Sequence, residues 1–487
     1  MNRNPEKSDF CYFPFFEVLL TADGKYKPCS KHEEFISHEG KILEASSSSV
    51  GKAWSSDYMQ GLRESFLKGE RRKGCRECWR EQDMGLKPMR YDSYQYGVPE
   101  SQVQNPSQPL RVEINASNIC NLRCRICMPT AAHKWIKEAK DLYGWEEKVH
   151  FNMTEENIET IRKWAPNFTE IGFFGGEPLM AKENIDLMRY CVEQGFSKNI
   201  RILLNTNGTV YTDEIVELFK HFKHVFLNFS IDDIGERFEY QRKNAKWDEV
   251  VENMRKYIAH GGHSSRDTIE CKICCSVTNM NIYYFPEYFE FMNEHFPGMP
   301  VFWNLIYEPW QFSIEILPKE IKEIIQDRLK HFVKTTYKMD THRTKTIEDL
   351  IIFLNNTVDK DFQGFFDKIE KHDIYRIECF AETFPEFWQL IAPFKKEIST
   401  QENYHMSPKP EIPNDKDYKQ AFISEMEKFA EWKNVKHKIE ELEEMVATIE
   451  SPERMYHRFY NAPESAVLDA CVKNDVNRLF EIYKENR

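Results

Sequence analysis

The stretch RVEINASNICNLRCRICMP, residues 111–129, decides the fold. It begins inside LRVEIN (110–115), an apolar and β-branched run of strand length. It then passes into a loop carrying Cys120, Cys124 and Cys127 in the spacing C-x3-C-x2-C. Thiolates hold iron–sulfur clusters, and three of them on a four-iron cluster leave one iron without a protein ligand. An open metal position marks a catalytic site; a closed shell marks a structural or electron-transfer one. Zinc is the competing occupant. It would need a fourth ligand, and His133 lies six residues beyond Cys127.

Outward from this loop the chain alternates. Strand patterns recur at 169–175, 201–207, 224–232, 268–277 and 301–307. Helical patterns follow the successive strands at 131–142, 183–194, 212–221, 247–259 and 284–295. Such alternation implies an α/β protein with a parallel sheet. Six units over residues 110–310 fit a doubly wound sheet or a partial (β/α)6 TIM-like barrel, and periodicity alone does not separate them. In both, ligands gather at the carboxyl ends of the strands.

The flanks differ in composition. Residues 1–90 predict a small cysteine-rich α+β module, with a hairpin around TADGK (21–25) and a helix over 54–70. Residues 91–109 are expected to be a linker, 311–398 a helical extension, 399–415 a second linker and 416–487 a helical C-terminal region. A long charged helix is expected over 417–449. Within the module, Cys11, Cys29, Cys75 and Cys78 make a closed four-thiolate set, suited to structural zinc or to an auxiliary iron–sulfur cluster. On the fifth predicted strand, alternation puts Cys271 and Cys275 on one face and Cys274 on the other. Cys191, Cys379 and Cys471 read as core residues, and Asp232 and Asp233 as loop caps.

Further residues fall in register with the array. Gly175, Gly176, Glu177 and Pro178 follow the second predicted strand. Asn205 ends the third in LLNTNG, Ser230 ends the fourth in NFSIDD, and Arg242 lies in EYQRKN. With the cysteine loop, these make residues 110–307 resemble the radical S-adenosylmethionine (SAM) superfamily. The resemblance implies a 4Fe–4S cluster on Cys120, Cys124 and Cys127, with SAM chelated at the open iron. It implies that the turn at 175–178 holds the methionine amino group. Asn205 and Ser230 would contact the ribose and carboxylate, and Arg242 the carboxylate. It implies reductive cleavage of SAM to a 5′-deoxyadenosyl radical, hydrogen abstraction from a substrate, and an electron donor such as flavodoxin or ferredoxin. One position departs from the family: Ile126 stands where an aromatic residue is usual.

The module carries a second resemblance. ADGKYKPC (22–29), GKAWSSDYMQGLRESFLKGE (51–70) and CRECW (75–79) are similar to the auxiliary-cluster modules called twitch or SPASM domains. Here the module precedes the barrel, as in the N-terminal twitch group. This implies an auxiliary 4Fe–4S cluster on Cys11, Cys29, Cys75 and Cys78, with zinc still open. Such modules often accompany peptide or protein modification, so a peptidyl substrate is expected ahead of a sugar, nucleotide or other small metabolite. The rival class is a non-enzymatic zinc scaffold.

Composition narrows the rest. The chain has 487 residues, a net charge of −13 and 13 cysteines. An odd cysteine count behind an N-terminus, MNRNPEKSDF, without a secretory apolar core argues against a disulfide framework. The acidic balance argues against generic nucleic-acid binding, and no apolar run reaches membrane-spanning length. A cytoplasmic, membrane-free protein is expected.

Overall fold

The six expected strands all form, and two more join them. A computed structural model describes residues 8–396, apart from Ser265, 336–340, Thr357, Asp359, Ile377 and the side chains of 341–346. The linker expected at 399–415, the region 416–487 and Cys471 lie outside the described residues. In chain order the main sheet contains β1 (Glu17–Leu20), β2 (Tyr26–Lys27), β3 (Arg111–Ile114) and β4 (Glu170–Phe173). It continues with β5 (Arg201–Thr206), β6 (His224–Ser230), β7 (Ile269–Val277) and β8 (Val301–Leu305). Their order is β8-β7-β6-β5-β4-β3-β1-β2.

From β3 to β8 every pairing is parallel and every strand lies beside its predecessor. Helices Glu155–Trp164, Lys182–Glu193, Asp213–Phe219, Trp247–His260 and Phe285–His295 cross between them. A doubly wound sheet reverses its order at a switch point. This one never reverses, which is the order of a partial barrel. The helix expected over 131–142 begins only at Trp135, because the backbone of Ala131 and Ala132 turns back to Met128 and His133 bonds to Asn118. The crossover between β3 and β4 is Glu155–Trp164, which the strand-to-helix count had passed over. Thr154 caps it by accepting from the Asn157 N–H.

The N-terminal residues are not set apart from this sheet. β1 pairs with β3 in parallel, and β2 folds back on β1 through the expected hairpin turn. Residues 91–109, expected as a linker, are folded: a 3₁₀ helix runs through Met89–Tyr96 and an α-helix through Glu100–Gln104. Within the expected 54–70 helix, Ser56 caps Asp57–Leu67 by accepting from the Met59 N–H. The chain divides into two compact units, one made of residues 1–140 and 144–358, the other of 141–143 and 359–487. Helices Lys319–Thr335 and Thr341–Asn355 therefore belong to the first unit, and the expected boundary at 310/311 is not where the chain divides. In the second unit, Gln363–Arg376 and Pro385–Ile391 pack around Phe365, Phe380, Phe384 and Phe387. Among the described residues, no helix is long and apolar enough to cross a membrane.

One end of the sheet carries a row of charge. Glu17, Arg111, Glu170 and Arg201 are direct partners across β1, β3, β4 and β5. Arg111 is fully buried and pairs with Glu17, with Glu113 at 2.5 Å and with Glu170 at 2.6 Å. Arg201 reaches the other Glu170 oxygen at 3.2 Å, and the Tyr96 hydroxyl donates to Glu170 at 3.0 Å. Opposite charges alternate along one rung, so each strand is locked to its neighbour at one register.

Candidate functional site

The cysteine loop is held from three sides. Arg123–Cys124 pairs as a short antiparallel ladder with Arg242–Lys243, placing Arg242 opposite Cys124. The Arg125 N–H donates to the Gln241 carbonyl at 2.8 Å, and its buried guanidinium stacks 3.6 Å over the Tyr240 ring. The Trp135 indole donates to the Cys124 carbonyl at 2.8 Å. His133, the candidate fourth zinc ligand, is engaged: its Nδ1 accepts the Cys120 N–H at 3.0 Å. That occupation weakens the zinc alternative at this loop.

The glycine turn clamps the same loop. Gly175 and Gly176 have φ of +70° and +47°, a region glycine enters without a Cβ penalty. The Gly176 N–H donates to the Ala131 carbonyl at 3.1 Å and the Glu177 N–H to the Ile119 carbonyl at 2.8 Å. One turn thus grips both ends of the segment that carries the three cysteines. A Cβ on Gly176 would lie 2.2 Å from the Ile119 oxygen. Pro178 starts the short 3₁₀ turn that follows.

Glu177 is placed differently from the expectation for a free acceptor. Its side chain is buried and takes hydrogen bonds from the Leu179 N–H (3.2 Å), the Thr206 hydroxyl (2.8 Å) and the Asn207 N–H (2.8 Å). It ties the turn to the end of β5. Burial pushes its carboxyl up to about 7, against the pull of those three donors. Thr206→Val, which removes one donor from a buried carboxyl, should cost about 1–3 kcal/mol, read as a lowered midpoint in urea unfolding.

The remaining candidates gather at the same ends of the strands. Asn205 accepts from the Asn228 amide at 2.9 Å. Ser230 is half-buried and stands opposite Cys274. Arg242 is buried; it pairs with Asp232 at 2.7 Å, and its Nη1 lies 3.8 Å from the Cys124 sulfur. Asp232 also accepts the Ser276 N–H at 2.8 Å, so it anchors an ion pair between strands rather than capping its own loop. Asp233 accepts from Ile234, Arg237 and Gln241, which is a cap as expected. Asn207 was missed: its amide nitrogen sits 3.8 Å from the Cys120 sulfur and donates to the Asn121 side-chain Oδ1 at 3.0 Å. The second Asn of LLNTNG was the available signal.

A cavity of about 740 Å³ opens beside these residues. Asn205, Cys274 and all five residues of β8 line it, with Lys31, Glu81, Lys87 and Asp92 from the N-terminal part. Cys274 faces it, while Cys271 and Cys275 are buried on the opposite face, as alternation predicts.

The four N-terminal thiols share one smaller cavity, which Cys11, Cys29, Cys75 and Cys78 line together with His32. Burial, with charge repulsion from neighbouring sulfurs, pushes Cys11 and Cys29 well above the ordinary thiol value and Cys75 to about 12; burial and the Glu81 carboxylate push Cys78 to about 11. Burial drives the His32 imidazole down to about 4. Four thiols gathered round one cavity become stable thiolates when a metal cation supplies the opposing charge.

Among the described residues, no three Cys, His, Asp or Glu side chains are placed as they are around a bound metal ion. The surroundings nonetheless fit one. Three thiols stand on a braced loop, and burial and the charges of Cys124 and Cys127 push the Cys120 thiol up. The turn at Gly175 and Gly176 packs directly on Asn115 and Ile119 and so fixes the start of that loop. The buried Nε of Arg242 lacks a hydrogen-bond partner among the described residues, leaving a donor for an anionic group.

Comparison with known proteins agrees. Residues 114–277 match the family model of the radical SAM superfamily. The chain is 25% identical over 184 residues to radical SAM cyclopropyl synthase TigE of Paramaledivibacter caminithermalis, covering 35% of this chain and 38% of that one. It is 28% identical over 152 residues to GTP 3′,8-cyclase of Peptoclostridium acidaminophilum, covering 30% and 41%. The chain thus spans less than half the length of these curated relatives. A solved structure of native anSMEcpe with bound AdoMet aligns over 46% of this chain and 60% of its own, at 19% identity and a TM-score of 0.35. Over residues 114–277, this chain carries a domain of the radical SAM superfamily, which works with a 4Fe–4S cluster and SAM.

Proposed function

We propose that the chain is a radical SAM enzyme acting on a peptide or protein. Cys120, Cys124 and Cys127 would hold the cluster, with the turn at 175–178, Asn205, Ser230 and Arg242 around SAM. When bound, that pair supplies reductive cleavage of the sulfur–C5′ bond and the 5′-deoxyadenosyl radical that takes a hydrogen from the substrate. The protein binds, orients and excludes water. Arg242 is the observation that carries this assignment: it is fixed by Asp232, touches the Cys124 sulfur and keeps one buried donor unused. It is therefore positioned to meet a carboxylate beside the thiols.

The large cavity supports a peptidyl substrate. Its wall includes the full length of β8, an edge strand that among the described residues pairs with β7 alone. An extended chain binds such an edge through main-chain hydrogen bonds. The N-terminal thiols would hold an auxiliary 4Fe–4S centre in a twitch-like module, and a flavodoxin or ferredoxin would supply electrons.

Anaerobic reconstitution, followed by SAM and a strong reductant, is the test. The intact protein should form 5′-deoxyadenosine and carry about eight irons from two four-iron clusters. A colourless protein holding two zinc ions and forming no 5′-deoxyadenosine would establish the non-enzymatic scaffold instead. Deuterium transfer from labelled peptides, but not from nucleotides or sugars, into 5′-deoxyadenosine should identify the substrate class.

A further inference from the structure

The N-terminal cavity holds a fifth donor. His32 is 2% exposed and lines the cavity with the four thiols. Its Nδ1 lies 3.4 Å from the Cys75 sulfur. Its Nε2 lies 2.6 Å from the Tyr58 hydroxyl, which donates to Glu34 at 2.7 Å. A hydroxyl has one hydrogen, and a carboxylate only accepts. The Tyr58 oxygen must therefore accept from Nε2–H, which leaves the lone pair of the neutral ring on Nδ1. That lone pair is on the nitrogen beside Cys75. Metal-binding histidines are oriented in this way, through a hydrogen bond from the far ring nitrogen.

Two more observations agree. Gly74 makes room for the ring: a Cβ there would stand 2.5 Å from both Cε1 and Nε2 of His32. The spacings are Cys29-x2-His32 and Cys75-x2-Cys78, paired short intervals of the kind that wrap one ion. Two donors that serve one position must stand side by side, and Nδ1 of His32 lies 3.4 Å from the Cys75 sulfur.

We propose that His32 is a fifth ligand of the N-terminal centre and shares one coordination position with Cys75. It rests on the reading that the four thiols hold a metal at all. The metal keeps four protein donors whether Cys75 or His32 fills that position. Exchanging the thiolate for imidazole raises the reduction potential of an iron–sulfur centre, because a neutral ligand replaces an anionic one.

The experiment uses the full chain, reconstituted anaerobically with iron and sulfide. Metal per chain, the visible and EPR spectra and the reduction potential are read. Wild-type protein carrying only the iron of the Cys120, Cys124 and Cys127 site would refute the underlying reading before any variant is made. With the second centre present, Cys75→Ala should keep it, with altered spectra and a higher potential. Cys78→Ala and the double variant His32→Ala/Cys75→Ala should retain its metal at least about tenfold more weakly. Cys75→Ala as empty as Cys78→Ala, or a double variant retaining as much metal as Cys75→Ala, would overturn the proposal. Iron at the Cys120 site reports folding in each variant, and Cys75→Ser replaces Cys75→Ala where alanine costs the fold.

Discussion

Gly176→Ala should silence the radical SAM site as completely as Cys124→Ala, although it removes no ligand. The new Cβ would lie 2.2 Å from the Ile119 oxygen, 2.9 Å from its carbonyl carbon and 3.1 Å from the Asn118 carbonyl carbon. All three are backbone atoms, so no side chain can swing aside. The Ile119 oxygen is also the acceptor for the Glu177 N–H, so relieving the clash breaks the clamp on the cysteine loop. The residue's φ of +47° adds about 1–2 kcal/mol for any side chain, and overpacking typically adds about 1–3 kcal/mol. Iron at the Cys120 site and 5′-deoxyadenosine formation should both fall at least a hundredfold. The N-terminal centre should stay loaded, since Gly176 lies outside its cavity. Full core iron with normal 5′-deoxyadenosine would show that the turn does not shape the loop. At Gly175 the obstacle is a side chain, Asn115, whose Oδ1 would stand 2.4 Å away, so alanine there should be milder.

What the sequence disclosed follows from how local each signal is. β3 to β8 were legible because apolar, β-branched runs carry their own periodicity. The choice of a barrel over a doubly wound sheet was not legible, since it lies in strand order and no single segment encodes that. β1 was hidden for a related reason: EVLL is four residues long and gains strand character by pairing with β3 and β2. The three cysteines and the glycine turn stood out as spacings. Their dependence on each other did not, because Ile119, Ala131, Gly176 and Glu177 meet only in the fold. Glu177 shows the limit of residue chemistry. A carboxylate can receive an ammonium, but this one is occupied by Leu179, Thr206 and Asn207. Arg242 and Asp232 lie ten residues apart and pair only once a short ladder turns the chain back on the cysteine loop.

Arg111→Met should be the most destabilising single change away from the metal sites, and its cost should depend on pH. In the folded chain this guanidinium meets Glu17, Glu113 and Glu170, all buried. Methionine fills much of the volume but leaves three buried carboxylates, of which Glu170 keeps the half-buried Arg201 and the Tyr96 hydroxyl. Removing one partner from a buried ion pair typically costs about 3–5 kcal/mol. Burial already raises Glu113 above the ordinary 4.5 and Glu17 well above it, with Arg111 opposing the rise. Without Arg111 their folded pKa values must climb further. A carboxyl whose folded pKa exceeds its unfolded one favours the fold most below the unfolded value. It loses that contribution as pH rises through the folded value. The variant should therefore lie closest to wild type near pH 5 and fall away toward pH 8. The slope should be about 1.4 kcal/mol per pH unit for each extra proton that the native state holds. Urea unfolding of both proteins at several pH values measures this difference. A gap of the same size at pH 5 and pH 8 would mean that the carboxylates find other partners, and that the row across β1, β3, β4 and β5 does not depend on its one buried cation.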